Sequence, residues 1–174
     1  YALHCPNQLD LTDDSLQNMV RLYQEIDAKC LVIHDLQYAR YAARLHQLAP
    51  DLRLAVENHV FSPEQFTLWQ ERFESLTLDI EHLWLFTLQS SPLAQLVATV
   101  RSFLTRSGDK LRHIHLPGYS PGSVEHRPMY CSREMVFEMF SLLNEFHFKG
   151  LIVSEVELEF QNPQDLLMDR LLFD

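Results

Sequence analysis

Apolar residues recur along this chain in two rhythms that take turns. Runs with a period of two predict strands at residues 1–6 (YALHCP, ending at His4), Cys30–Asp35 (CLVIHD, ending at His34) and Leu52–His59 (LRLAVENH, with Glu57 near its end). Three more follow within Leu76–Trp84 (LTLDIEHLW, where the strand should end at Asp79 with His82 in the turn just beyond), Leu111–Leu116 (LRHIHL, ending at His115) and residues 151–158 (LIVSEVEL, with Glu155 near its end). Between them the spacing is helical. Leu16, Met19, Val20, Tyr23 and Ile26 mark a helix over Ser15–Ala28, and a second runs from Leu36 to Leu48, where Pro50 stops it. Ser62-Pro63-Glu64 opens a third, with an N-cap and a proline in the first turn, that runs to about Phe73. Further helices are predicted from Ser91-Pro92 to Thr105, over Ser132–Phe146, and from Asn162-Pro163 onward. Pro117–Pro128 is the longest loop.

Six strands, each followed by a helix across a short connection, predict a parallel sheet covered by helices. No G-x-G-x-x-G follows any strand, which argues against a dinucleotide-binding sheet. The (β/α)8 TIM-barrel type remains, and six βα units are two short of closure. The expectation is therefore a single α/β domain over residues 1–174, an incomplete barrel lacking its first and last strands. The start at Tyr1, already in a strand-like pattern, suggests an excised or processed piece.

Composition narrows the picture modestly. A chain of 174 residues, 47% hydrophobic and 22% charged, is long enough to bury a core. Its net charge of −10, from 14 Lys+Arg against 24 Asp+Glu, argues against a partner bound through phosphate backbones, although a local basic groove is not excluded. Three widely spaced cysteines (Cys5, Cys30, Cys131) point to a reduced, cytoplasmic chain. No apolar run approaches the ~20 residues that span a bilayer.

The chemistry lies at the strand ends. Read in order, they carry His4, His34, Glu57, Asp79 with His82 just beyond, His115 and Glu155. Period-two phasing aims them to a common side, because Ala2 pairs with His4, Val32 with His34, Ala55 with Glu57, His113 with His115 and Val153 with Glu155. In a barrel of parallel strands the reacting groups come from these C-terminal ends. A single Asp-x-x-His is a weak signal, but six strands out of six in phase are hard to assign to chance. Oxygen and imidazole donors converging in one mouth suit Mn, Mg, Zn or Co.

ENH at 57–59, DIEH at 79–82, HIHLPGY at 113–119, HRP at 126–128 and SE at 154–155 together resemble the xylose isomerase-like TIM barrels, a superfamily of sugar isomerases and epimerases that also holds endonuclease IV. The resemblance runs over essentially the whole chain. Its epimerase pattern implies one divalent ion on Glu57, Asp79, His115 and Glu155, with Glu57 and Glu155 moving a proton beside a metal-held carbonyl and His82 orienting a substrate oxygen. The substrate implied is carbohydrate-like. The endonuclease IV pattern implies further metal ligands, which this sequence matches with His4, His34, His82 and His126 but departs from at Val124, where that pattern has Asp. That departure puts a three-ion site in doubt and leaves two ions open.

Three readings follow: a divalent-metal-dependent sugar or polyol isomerase/epimerase, a metal-dependent phosphodiester hydrolase, and a non-catalytic barrel that binds a metal, a ligand or a partner protein. Oligomerisation is left open. Among lesser candidates, His113 is expected to be a hydrogen-bonded core residue and His59 a rim residue. Arg127 is a candidate anion contact or a surface salt bridge, and Trp84, Phe86, Tyr119 and Tyr130 are candidates for stacking on a sugar, although aromatics at such positions more often pack.

Overall fold

The computed structural model describes residues 1–173. Its strands are β1 (Leu3–His4), β2 (Leu31–His34), β3 (Leu54–Glu57), β4 (Leu76–Asp79), β5 (Leu111–His115) and β6 (Leu151–Val153). All five pairings are parallel, and the strands lie in the order β1 to β6. The helices are α1 (Asp13–Glu25), α2 (Asp35–Leu48), α3 (Pro63–Arg72), a single turn α4 (Ile80–His82), α5 (Leu93–Ser107), α6 (Arg133–Glu145) and α7 (Pro163–Phe173).

The sheet is strongly curled. Four strand spacings separate β1 from β5, about 19 Å in a flat sheet. Yet the rings of His4 on β1 and His115 on β5 lie only 5.8 Å apart. The six strands therefore make an open half-barrel wrapped by helices, an incomplete α/β TIM barrel.

Alternation sorts each strand between two cores. Leu31, Ile33, Leu54, Val56, Leu76, Leu78 and Ile114 join one large cluster with the helices. The intervening positions Cys30, Val32 and Ala55 form a small separate cluster with Ala2 on the concave side. Small residues there leave the mouth above them to polar side chains. Ser62 caps α3 by accepting from the Gln65 amide, and Pro63 occupies a position whose N–H has no helical partner anyway.

The fourth strand ends at Asp79, where the reading of LTLDIEHLW puts the strand end, and His82 lies in the turn just beyond; Ile80–His82 and Leu83–Thr87 are helical, the latter as a π-turn. Asp79 is the cause: its Oδ1 accepts the His82 amide at 2.7 Å, an N-cap that closes the strand and starts a turn. The same stretch carries a second period, because Ile80, Leu83, Trp84 and Thr87 are all buried at i, i+3, i+4, i+7. β6 ends earlier than its run predicts, at Val153, so Glu155 lies two residues beyond its end. The three cysteines are unpaired. Among the described residues no helix is long and apolar enough to cross a membrane.

Candidate metal centre

Register brings the strand-end residues together before any side chain is considered. His34 pairs with Glu57 across β2 and β3, and Asp79 with His115 across β4 and β5. The end of β3 is fastened to the end of β4 by Asn58, whose side chain donates to the Asp79 carbonyl and accepts from the Asp79 amide. Gln37, fully buried on α2, donates to the carbonyls of Pro6 and Gln8 and so fixes the turn that follows His4.

Glu57 sits at the centre. His4 Nε2 donates to its Oε2 at 2.8 Å, with His34 Nε2 3.7 Å from the same oxygen. His82 Nδ1 and His115 Nδ1 approach Oε1 at 3.2 and 3.5 Å. His115 Nδ1 is also 3.5 Å from Asp79 Oδ2 and 2.7 Å from Glu155 Oε2. Ligand atoms of Glu57, Asp79, His115 and Glu155 all fall within 4.8 Å of one another, as do those of His4, His34 and Glu57, and those of Asp79, His82 and His126. Every residue singled out for metal binding is thus in one of three adjoining groups, and Glu57, Asp79, His115 and His82 are almost wholly buried.

A divalent ion fits the first group on a specific observation. Asp79 Oδ2, His115 Nδ1 and Glu155 Oε2 are buried and lack a hydrogen-bond partner, even though the last two are 2.7 Å apart. Their approach is an ion-pair contact without the direction of a hydrogen bond. Orphaned donor atoms of this kind, facing one another in an interior, are what a cation would satisfy.

The metal-free electrostatics are those of protons standing between carboxylates. Burial disfavours charge on His82, but Asp79 and the hydrogen bond to Glu57 outweigh it and push its pKa up to about 10. Burial likewise opposes charge on His115, and Asp79, Glu155 and Glu57 lift it well above the usual imidazole range. On His4 the cost of burial is overcome by the hydrogen bond to Glu57, which raises it. Both His4 nitrogens face acceptors, Glu57 Oε2 and the Cys5 carbonyl at 2.6 Å, as only an imidazolium can serve. Burial pushes Glu57 up, yet the surrounding imidazoles, His115 first, hold it well below the carboxylate range. Glu155, pushed up by burial, is brought down by His115 to about 2.

Two further residues take part. Glu81 is completely buried beside the centre, where its Oε2 accepts the His126 amide at 2.9 Å. Burial pushes its pKa up to about 8. His113 is buried against His115 with neither ring nitrogen hydrogen-bonded, contrary to the expectation of a satisfied core histidine. His59 lines the mouth, stacked on the ring of His34 at 4.4 Å.

The mouth opens into a cavity of about 680 Å³ whose lining includes His4, His34, Glu57, His82, His126 and Glu155 but neither Lys nor Arg. Arg127 does not line it; its backbone instead pairs with Gly118. Three of the four aromatic candidates are committed elsewhere. Trp84 donates to the Ser91 carbonyl, Tyr119 bonds Ser90, and Tyr130 bonds Asp165. Phe86 alone stays near the site, 5.6 Å from the His82 ring.

No protein-family model and no curated protein sequence matches the chain. Among solved structures it is similar to a D-tagatose 3-epimerase-like protein, at 15% identity and a TM-score of 0.67 over 99% of this chain and 74% of that one. It is also similar to a xylose isomerase domain protein from Planctomyces limnophilus, at 13% identity and a TM-score of 0.62 over 92% of this chain. The chain spans 62% of that second protein, less than two thirds of its length. At such identities the likeness is one of fold.

Proposed function

We propose that residues 1–174 form one xylose isomerase-like domain acting as a divalent-metal-dependent isomerase or epimerase on a sugar or polyol. The observation that carries this reading is the meeting of Glu57, Asp79, His115 and Glu155 at one point, each from a different strand end. A divalent ion held there supplies Lewis-acid polarisation of a carbonyl. The chain's own groups do the rest. His82 offers an N–H for a substrate oxygen, and Glu155, the most exposed of the four, takes a proton from carbon at its cavity-facing carboxylate. Glu57, taking a proton from the His4 imidazolium hydrogen-bonded to its Oε2, returns it to carbon from the opposite side.

The pocket does not raise the proton affinity of either carboxylate in the metal-free state, since His115 and its neighbours hold both down. Loss of those imidazolium protons is therefore needed before Glu57 or Glu155 serves as a base. A cavity walled by Glu125, Glu155 and Glu157 with neither Lys nor Arg in its lining favours a neutral polyhydroxylated substrate over an anionic one.

A second reading, phosphodiester hydrolysis, is favoured by one feature. Glu57 belongs both to the four-residue group and to the group with His4 and His34, the position of a carboxylate bridging two ions. The acidic mouth argues against it. The deciding experiment incubates metal-loaded protein with a panel of ketoses and aldoses in D2O, and separately with a phosphodiester. Metal-dependent deuterium uptake at the carbon next to the carbonyl is expected, and it should vanish in Glu155→Gln. Phosphodiester cleavage without deuterium uptake would replace the first reading with the second.

A further inference from the structure

We propose that Glu81, Glu125 and His126 form a second divalent-cation site, which fastens the 117–128 loop to the end of β4. The site goes beyond the centre at Glu57 and does not require that centre to be occupied. Ligand atoms of the three residues lie within 4.8 Å of one another. Glu125 and His126 are consecutive in the loop, whereas Glu81 lies on α4, two residues past Asp79. An ion held among them would link two segments otherwise joined here by the hydrogen bond from the His126 amide to Glu81 Oε2.

The independent sign of a ligand is Glu81 itself. Its side chain is fully buried, and Oε1 has no hydrogen-bond partner. A buried carboxylate with a bare oxygen is costly unless a proton or a cation neutralises it. The neighbours decide between these, because a second carboxylate and an imidazole within reach make a donor set suited to Mn, Zn or Co. His126 has two ring nitrogens and stands beside Asp79 and His82 as well, so it faces both sites.

The rival explanation is that Glu81 stays neutral and only clamps the His126 amide. Glu81→Gln separates the two, because its amide oxygen keeps the clamp while the charge is removed. Glu125→Gln tests the loop side without touching the buried cluster. Metal-stripped wild type, Glu57→Gln, Glu81→Gln and Glu125→Gln would each be dialysed against micromolar Mn2+, counted for bound metal, and crystallised for anomalous maps. The expected result is a peak among Glu81, Glu125 and His126 in wild type that persists in Glu57→Gln and disappears in both other variants, with one ion fewer per chain. Binding should also slow protease cleavage within 117–128 in wild type but not in Glu125→Gln. A peak at the Glu57 centre alone, unchanged metal content in Glu81→Gln, or uptake only at millimolar Mn2+ would overturn the inference and leave the proposed function standing. Absence of metal from both places would overturn both.

Discussion

Asn58 and Asp79 are joined by a closed pair of hydrogen bonds: Asn58 Nδ2 donates to the Asp79 carbonyl at 2.9 Å, and Asn58 Oδ1 accepts the Asp79 amide at 2.7 Å. A side-chain amide here stands in for a backbone peptide and continues the β3–β4 ladder past the last paired strand residues. Both partners are wholly buried. The Asn58 backbone is used too, since its carbonyl lies 3.2 Å from His82 Nδ1. One residue thereby sets the distance between Glu57, next to it in sequence, and the Asp79 carboxylate.

Asn58→Ala should therefore harm both stability and metal binding. It strips two buried backbone groups of partners, at ~1–3 kcal/mol each, so a loss of about 2–6 kcal/mol is expected in urea unfolding. Metal affinity should fall by about tenfold or more, in the range seen for groups that orient ligands. Unchanged affinity in a folded variant would show that Asp79 is held by other contacts.

Metal affinity should rise steeply with pH. His82, His115 and His4 have pKa values above the ordinary 6.5, set by carboxylates that outweigh the cost of burial. Near neutral pH an incoming ion has to displace protons from those ligands it uses. Each displaced proton contributes about a tenfold gain in apparent affinity per pH unit, until its pKa, about 10 for His82, is reached. Titration calorimetry in two buffers of different ionisation enthalpy would count the protons released. Zero release would mean that the ion enters without these imidazoles.

Without metal, the same groups predict opposite limbs of stability. The raised His82 contributes stability that is complete below its unfolded value of 6.5 and is lost as pH rises toward about 10. The depressed Glu155 contributes above its unfolded value of 4.5, and that contribution is lost as pH falls toward about 2. Saturating metal should lift the alkaline limb, because the ion takes over the role of the protons. Thermal melts from pH 2 to 10, with and without Mn2+, would read this, and parallel curves would contradict it.

How much of this was legible in the sequence depends on which force placed each residue. Alternation reports sheet face directly, so the strand-end positions from His4 to Glu155 could be read without coordinates, as could the six parallel units. At Ile80–Trp84 a period of two and a period near 3.6 overlap, and the cap supplied by Asp79 decides for the turn that carries His82. Asn58, Gln37 and Glu81 carry no periodic signal. Their roles lie in bonds to backbone groups 21 to 45 residues away, which depend on strand stagger. Aromatics that follow strands can stack on a sugar but more often pack, and Trp84 and Tyr119 do pack, edge to face on each other.

His113 poses the sharpest test of what the concave layer is for. Its ring is buried, neither nitrogen has a partner, and it stands edge-on to His115 at 4.7 Å. Burial first, then the neighbouring His115, pushes its pKa down to about 3. A histidine whose folded value lies below its unfolded 6.5 loses stability as pH falls from 6.5 toward 3, since the unfolded chain takes up the proton first. His113→Leu removes the unpaired nitrogens and that acid penalty while nearly keeping the volume. It should raise stability by about 1–2 kcal/mol at pH 7 and by more at pH 5. If His113 is only filler, metal affinity in the variant will match wild type. If affinity drops while stability climbs, the bare imidazole is kept to set the ring of His115, and a stability cost is being borne for the site. A variant less stable at both pH values would contradict the account of His113 as an unsatisfied group, whatever its metal content.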